Sequence, residues 1–483
     1  MTDELQQSIA VGESVVPSEH VVNFFGACGA PLYEHLEEVG VRWKRKDSGW
    51  HNQEPERDEY DFSDWDDRVA GADQHGITML PILDYTALWA STAPDEPEGV
   101  SQRQHYPLAE EYVDDWSEYV RRFAERYPDI EYFEVWNEPN LDHFLHTGEQ
   151  PNHEVYVERI LEPAAEVLHD LDRKVVAPSF TTEWPADPWP DDERPSKVKW
   201  NVGANVDAID RWLSYQDAWK HIDVLSVHYT KGDTKKHSLP YADDMMAFYD
   251  YVYDNYVATG MLEGIWNTEA GFTATQAGEN SPFIALEPWE QEPYLQWVAR
   301  YTIPLIHWGL QHDWTSRDAY KLFWYRMGTC DNALQPGMLV EETDDSLQLS
   351  DTGHALRTVI ALLTDADEVG TYAGSAEVGF GIFEPSPQRT APYRFPVYTF
   401  ALDDRLFVAA WLDLPGLEIP DDEELPIQGV IEGYPATDIE VTTYDYLTGE
   451  ETTVDRHERV DDRLHVSLPR TGDPILFFEV APA

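Results

Sequence analysis

Positive charge is what this chain has least of. Against 92 aspartates and glutamates stand only 33 lysines and arginines, giving a formal charge of −59 over 483 residues. A polyanion of that size repels phosphate backbones and anionic headgroups, so nucleic acid and the membrane surface are excluded as partners. Cysteine is nearly absent: Cys28 and Cys330 alone cannot frame a disulfide-stapled fold. Long apolar runs are missing too, none reaching the 18 residues that suggest a bilayer span. The start, Met1-Thr-Asp-Glu-Leu-Gln-Gln, has neither the basic nor the apolar region of a signal peptide, so a soluble, cytoplasmic protein is expected. Walker and GxGxxG patterns are lacking, and neither a His-Glu-x-x-His nor a paired-cysteine signature occurs; no cofactor and no metal are expected.

What the chain does have is aromatic. An acidic sequence poor in aromatics reads as disordered, but this one holds 18 Trp and 26 Tyr, and its hydrophobic fraction of 42% suffices for a core. Its carboxylates are spread along every segment, which fits a folded protein with a solvated acidic shell. Such a shell repels itself strongly where screening is weak, so a salt-requiring protein from a high-salt cytoplasm is expected. It also follows that any single Asp or Glu is first a surface group, and needs context before it becomes a site.

Short apolar runs of strand length alternate with longer amphipathic stretches, the pattern of βα units and a parallel sheet. The strands are expected at Val21–Cys28, Val41–Lys46, Ile77–Leu83, Glu131–Trp136, Lys174–Phe180, Asp223–His228, Gly264–Thr268 and Leu322–Tyr325. Helices are expected at Ala109–Tyr127, Val155–Leu171, Tyr241–Ala258, Pro293–Leu310 and Gly353–Leu363. Eight such strands predict an α/β fold, a (β/α)₈ TIM barrel. Past Asp365 the texture becomes alternating strands between Pro, Gly and Asp turns, as in Tyr398-Thr-Phe-Ala-Leu and Leu464-His-Val-Ser-Leu. This reads as a C-terminal antiparallel β-sandwich domain. The expected organisation is an N-terminal extension 1–20, a catalytic barrel 21–365 and an accessory sandwich 366–483. The long insertion Thr181–Ala208 carries Trp184, Trp189 and Trp200, either as outer subsites or packed on themselves.

Glu131-Tyr-Phe-Glu-Val-Trp-Asn-Glu-Pro-Asn140 is the most informative segment. A strand runs into Asn137-Glu138 and Pro139 stops the ladder, which places Glu138 at the C-terminal mouth of the fourth strand, where barrel enzymes keep their catalytic groups. In Gly264-Ile-Trp-Asn-Thr-Glu-Ala-Gly271, Glu269 ends the seventh strand at the same mouth. Two acids meeting across one pocket are what glycoside hydrolysis requires: one protonated, to donate to the leaving oxygen, and one charged, to attack the anomeric carbon. Mutual repulsion and burial are expected to keep Glu138 protonated while Glu269 stays ionised. At a separation of about 5–5.5 Å the pair predicts retention of configuration.

These motifs resemble glycoside hydrolase clan A, most closely family 39 and its barrel-plus-sandwich relatives. Glu-Val-Trp-Asn-Glu-Pro-Asn is similar to that family's acid/base motif and Trp266-Asn-Thr-Glu-Ala-Gly to its nucleophile motif. Further matches are Trp50-His-Asn-Gln-Glu-Pro, Tyr60-Asp-Phe-Ser-Asp-Trp-Asp, Leu83-Asp-Tyr-Thr-Ala-Leu-Trp-Ala-Ser, Asp223-Val-Leu-Ser-Val-His-Tyr and Phe323-Trp-Tyr. With the acidic composition, the resemblance implies a haloarchaeal member and a carbohydrate substrate. It implies that Arg45, with Arg42 and Lys44 as neighbours in register, holds the nucleophile charged. It implies further that Asn137 donates to the sugar 2-hydroxyl, that His228 stands in the active site, that Trp324 is the platform under the sugar, and that Trp89 and Tyr85 are walls. Relatives place an aromatic hydroxyl two residues after the histidine; here that position is Thr230, and Tyr229 is the choice for the hydroxyl that bonds Glu269.

Glu134, two rungs deeper than Glu138, reads as a buried supporting carboxylate that needs a partner. Glu54 and Asp84 are lesser acids of the same kind. His143 and His146 read as a substrate-contacting loop, and Cys28 and Cys330 end neighbouring strands as thiols. The expected activity is exo-cleavage of short oligosaccharides in the manner of a β-xylosidase. An endo-glycanase of the same clan and a non-catalytic carbohydrate-binding barrel are the alternatives.

Overall fold

The computed structural model describes residues 11–94, 102–181, 202–228, 242–270, 297–328, 339–342, 346–380, 393–411, 427–468 and 475–483. Eight parallel strands close into a barrel: Phe25–Gly29, Trp43–Asp47, Thr78–Leu83, Tyr132–Val135, Lys174–Thr181, Val224–His228, Gly264–Ala270 and Tyr320–Met327. They are called here the first to eighth barrel strands. Each overlaps its expected position; the difference at the first is that residues ahead of Phe25 form a short helix, Ser18–Val22.

Helices return the chain between strands because their apolar residues recur on one face. Val113–Arg126 buries Trp116, Tyr119, Val120, Phe123 and Ala124, the i, i+3, i+4, i+7, i+8 stripe of a helix laid on a sheet. After the eighth strand, Ser350 caps the helix Asp351–Thr364 by accepting from the Gly353 amide at 3.2 Å. Among the described residues no helix is long and apolar enough to cross a membrane.

The barrel is filled, not hollow. Trp43, Leu80, Tyr132, Val176, Val224, Trp266 and Phe323 form one interior cluster with Cys28. Gly26 makes room for it, since a Cβ there would stand 2.4 Å from the Phe323 ring. At the N-terminal end Lys321 is buried with its ammonium 4.1 Å from the Trp43 ring and 5.0 Å from Trp266, and bonds Asp318 at 2.7 Å. Burial lowers this lysine to about 7. Apolar rings thus plug one end, while polar groups gather toward the other.

Beyond the barrel lie antiparallel sheets. One contains Glu368–Tyr372, Val397–Leu402, Arg405–Trp411, Ile475–Pro482, Ile439–Tyr444 and Glu451–Thr453; the other contains Tyr393–Arg394, Ser375–Phe380, Ile427–Glu432, Arg463–Leu468 and His457–Val460. The segment read as an N-terminal extension supplies a strand, Val11–Pro17, that pairs with Glu368–Tyr372 at the edge of the first sheet. It goes unnoticed in the sequence because its partner lies on the far side of the whole barrel.

Candidate active site

The fourth strand ends at Val135, and the backbone then departs from extended geometry. Trp136 and Glu138 take positive φ, 70° and 44°, on either side of Asn137. In a regular strand Asn137 and Glu138 would face opposite sides; these left-handed turns allow both to reach the barrel mouth, a costly conformation of the kind found at functional sites. The anchor is Trp136, buried, whose indole donates to the Phe144 carbonyl at 3.1 Å.

A different device serves the seventh strand. Asn267 pairs with Leu322 and Ala270 with Trp324, so three steps on one strand match two on its neighbour. The extra residue is a bulge, and it turns both Thr268 and Glu269 toward the interior. Thr268 Oγ1 donates to Glu134 at 2.6 Å, while Glu269 Oε2 lies 3.3 Å from Arg45 Nη1.

Arg45 is the hub. Its Nε donates to Glu134 Oε2, its Nη1 to Glu269, and its Nη2 to Asn137 Oδ1 at 2.9 Å and to His228 Nε2 at 3.3 Å. Burial pulls the guanidinium down, but Glu134 and Glu269 outweigh it and hold it well above its ordinary value. Of its neighbours in register, Lys44 points elsewhere and donates to the Gly29 carbonyl at 2.7 Å. A guanidinium only donates, so Asn137 must present its oxygen to Arg45 and turn its amide nitrogen the other way. There it meets the Tyr85 hydroxyl, whose proton is held by burial well above the usual range. Tyr85 is half-buried, its ring 5.8 Å from Trp136 and 5.0 Å from His105, and forms a wall as expected.

Glu134, wholly buried, accepts from Arg45, from Ser179 Oγ at 2.5 Å and from Thr268, the partners a buried carboxylate needs. Above it, His228 Nδ1 lies 2.8 Å from Glu138 Oε1 and 3.4 Å from Glu269 Oε2. One atom each from Glu138, His228 and Glu269 fall within 4.8 Å of one another. That is also the spacing of a metal site, but the adjacent Arg45 already supplies positive charge to Glu269, so a divalent ion there would be repelled. Cys28 closes the floor as a free thiol that donates to the Thr268 carbonyl at 3.3 Å; burial pushes it up to about 12, so it stays neutral.

Other expected residues fall elsewhere. Trp324 is 2% exposed and packs in the apolar layer outside the barrel, paired with Ala27 and Ala270. It is not a platform under a sugar. Strand alternation turns Phe323 and Tyr325 inward instead, and half-buried Tyr325 packs against the interior cluster. Trp89 belongs to a neighbouring group, its ring 5.4 Å from both Trp50 and Tyr112 and its indole bonded to the Glu54 carbonyl at 3.0 Å. Glu54 accepts from the Trp50 indole at 2.6 Å, and Asp84 accepts from the Gly49 amide at 3.0 Å, both inside the protein. His146 packs on Tyr106 and His143 on Phe144. Tyr229, Cys330, Trp184, Trp189 and Trp200 lie outside the described residues. A cavity of about 540 Å³, lined by Asp47, His51, Gln53, Arg68 and Gln104, adjoins this centre through Tyr85.

The chain matches no protein-family model, and no curated protein matches it in sequence. Solved structures do resemble it. A family 39 glycoside hydrolase from the gut symbiont Bacteroides cellulosilyticus has a TM-score of 0.56 and 14% identity, covering 96% of this chain and 82% of that one. The catalytic domain of the family 30 xylanase C from Talaromyces cellulolyticus has a TM-score of 0.55 and 13% identity, covering 98% of each. A glucosidase from Croceicoccus marinus has a TM-score of 0.53 and 12% identity, covering 99% and 98%. The resemblance to family 39 and clan A read from the motifs therefore extends to the fold, a barrel followed by antiparallel sheets.

Proposed function

We propose that this chain is a retaining glycoside hydrolase, with Glu138 as acid/base and Glu269 as nucleophile. The observation that carries the reading is that oxygens of these two carboxylates lie within 4.8 Å, at the barrel mouth and beside one arginine. Inverting enzymes hold the pair roughly 6.5–9.5 Å apart to admit a water; at the shorter distance the second carboxylate attacks directly. Glu138 protonates the glycosidic oxygen while Glu269 bonds the anomeric carbon. Glu138 then takes a proton from water as that water displaces Glu269. Arg45 keeps Glu269 ionised before attack, and the Asn137 amide, aimed away from Arg45, is placed to donate to a sugar 2-hydroxyl. A barrel that only bound carbohydrate would need neither acid.

The proposed substrate is a short oligosaccharide cut from one end, in the manner of a β-xylosidase, the reading supported by the resemblance of the two acidic motifs to family 39. The cavity beyond Tyr85 favours a second reading, an endo-acting enzyme that holds more than one ring on that side. NMR of the first products from a defined oligosaccharide tests both levels. Retained configuration and monosaccharide release are expected; longer products favour the endo reading, and an inverted first product defeats the mechanism.

The charge of −59 carries its own expectation. Unfolding followed across a KCl series should show stability rising steeply from dilute buffer to molar salt, since the Debye length shrinks to about 3 Å at 1 M. Equal stability at both ends would remove the case for a salt-adapted protein.

A further inference from the structure

We propose that Tyr85 is a specificity-determining residue, whose hydroxyl donates to the 3-hydroxyl of the sugar in the cleaved position. The inference rests on the hydrolase reading above and names the part of the substrate that the site recognises. It starts from Asn137, which stands between two partners. Its Oδ1 accepts from Arg45 Nη2 at 2.9 Å, and the same guanidinium reaches Glu269 through Nη1. Its amide nitrogen is turned the other way, to the Tyr85 oxygen. A phenol both accepts and donates. With the Asn137 amide on its oxygen, the Tyr85 proton is left for a partner in the cavity that Tyr85 lines.

The order of atoms around a sugar ring identifies that partner. The anomeric carbon lies against Glu269, on the Arg45 side of Asn137, and the 2-hydroxyl takes the Asn137 amide. Two oxygens neighbour O2 along the ring carbons: the glycosidic oxygen, which belongs to the catalytic acids, and O3. Donors bonded to one another, as Asn137 and Tyr85 are, stand a hydrogen bond's length apart, and so do gauche hydroxyls on adjacent carbons. The pair of donors therefore matches a 2,3-diol. Tyr85 is also held still. Its φ of 54° is a left-handed conformation rare for an aromatic residue, of the strained kind that gathers at functional sites. Its ring packs 5.8 Å from Trp136, 5.0 Å from His105 and 6.1 Å from His51. Burial, with the negative fields of Asp84, Asp47 and Glu138 added to it, outweighs the Asn137 amide and keeps the hydroxyl protonated. The donor therefore persists at neutral pH. A ring without a 3-hydroxyl leaves it unpaired in a half-buried place, and such a ring is rejected.

A cycle that pairs a change in the residue with a change in the substrate tests this. The probes are 4-nitrophenyl β-xyloside, or the β-glucoside if that is turned over faster, with its 3-deoxy and 2-deoxy analogues. In the parent enzyme, loss of the 3-hydroxyl should lower kcat/KM by about tenfold to a hundredfold. Tyr85→Phe keeps the ring and removes the donor. It should lose about tenfold on the full sugar and on its 2-deoxy analogue. On the 3-deoxy analogue it should lose less than about twofold, because the bond is already gone there. Equal losses on all three sugars would make the hydroxyl a brace for its loop. A loss that vanishes on the 2-deoxy analogue instead would mean that it acts through Asn137. Either result overturns the proposal, as does an undiminished rate of Tyr85→Phe on the full sugar. If the parent turns over neither aryl glycoside and takes no label from a fluoroglycoside, the hydrolase reading itself fails. If it hydrolyses one of them and shows no coupling at the 3-position, only the present inference does.

Discussion

Glu138→Gln should lose about 10²- to 10⁴-fold in kcat/KM on substrates with poor leaving groups, and far less on activated aryl glycosides. An alkoxide must be protonated as it departs, whereas a nitrophenolate leaves without help, so removing the acid is felt only by the first. The second half of the reaction still needs a base, and the glycosyl-enzyme should accumulate with activated substrates as a burst of phenolate. Equal losses across leaving groups, measured by steady-state kinetics on a graded aryl series, would assign Glu138 another role.

Arg45→Met should destabilise the fold by about 3–5 kcal/mol, the usual cost of leaving one member of a buried ion pair alone. Arg45 is 4% exposed and Glu134 is fully buried, so the stranded carboxylate finds no water. Ser179 and Thr268 would remain as its hydrogen-bond donors, but two hydroxyls do not replace a guanidinium. Adding Glu134→Gln should recover most of the lost stability, because the buried charge is then gone. Activity should not return, since Glu269 still lacks its cation and Asn137 and His228 lose the donor that orients them. Urea unfolding of the single and double variants checks the first half and turnover the second. A single variant within about 1 kcal/mol of the parent would contradict the view that this pair is tightly coupled.

The barrel was legible in the sequence because strand-length apolar runs alternate with helical stripes, and because Pro139 and Gly271 punctuate the two acidic strand ends. What stayed hidden was local backbone geometry. Alternation alone would have pointed Asn137 and Glu138 to opposite faces; the positive φ of Trp136 and Glu138 gives them a common side, and nothing in their side chains signals it. The bulge at Thr268-Glu269 is likewise set by pairing with the eighth strand, which lies far along the chain. Applying alternation to Phe323-Trp324-Tyr325 would have exposed the error over Trp324, given that Phe323 fills the interior opposite Gly26. Glu134 was recognisable as a buried acid in want of partners. That the partners would be Arg45, Ser179 and Thr268, from three different strands, only the closed barrel could show.

The account stands on two carboxylates from the fourth and seventh strands sharing one anomeric centre. A mechanism-based fluoroglycoside followed by peptide mapping tests it most directly. Label should appear on Glu269 alone, and stay there on a timescale set by slow hydrolysis of the trapped ester. Covalent label on Glu138, Glu134 or any other residue would contradict the assignment.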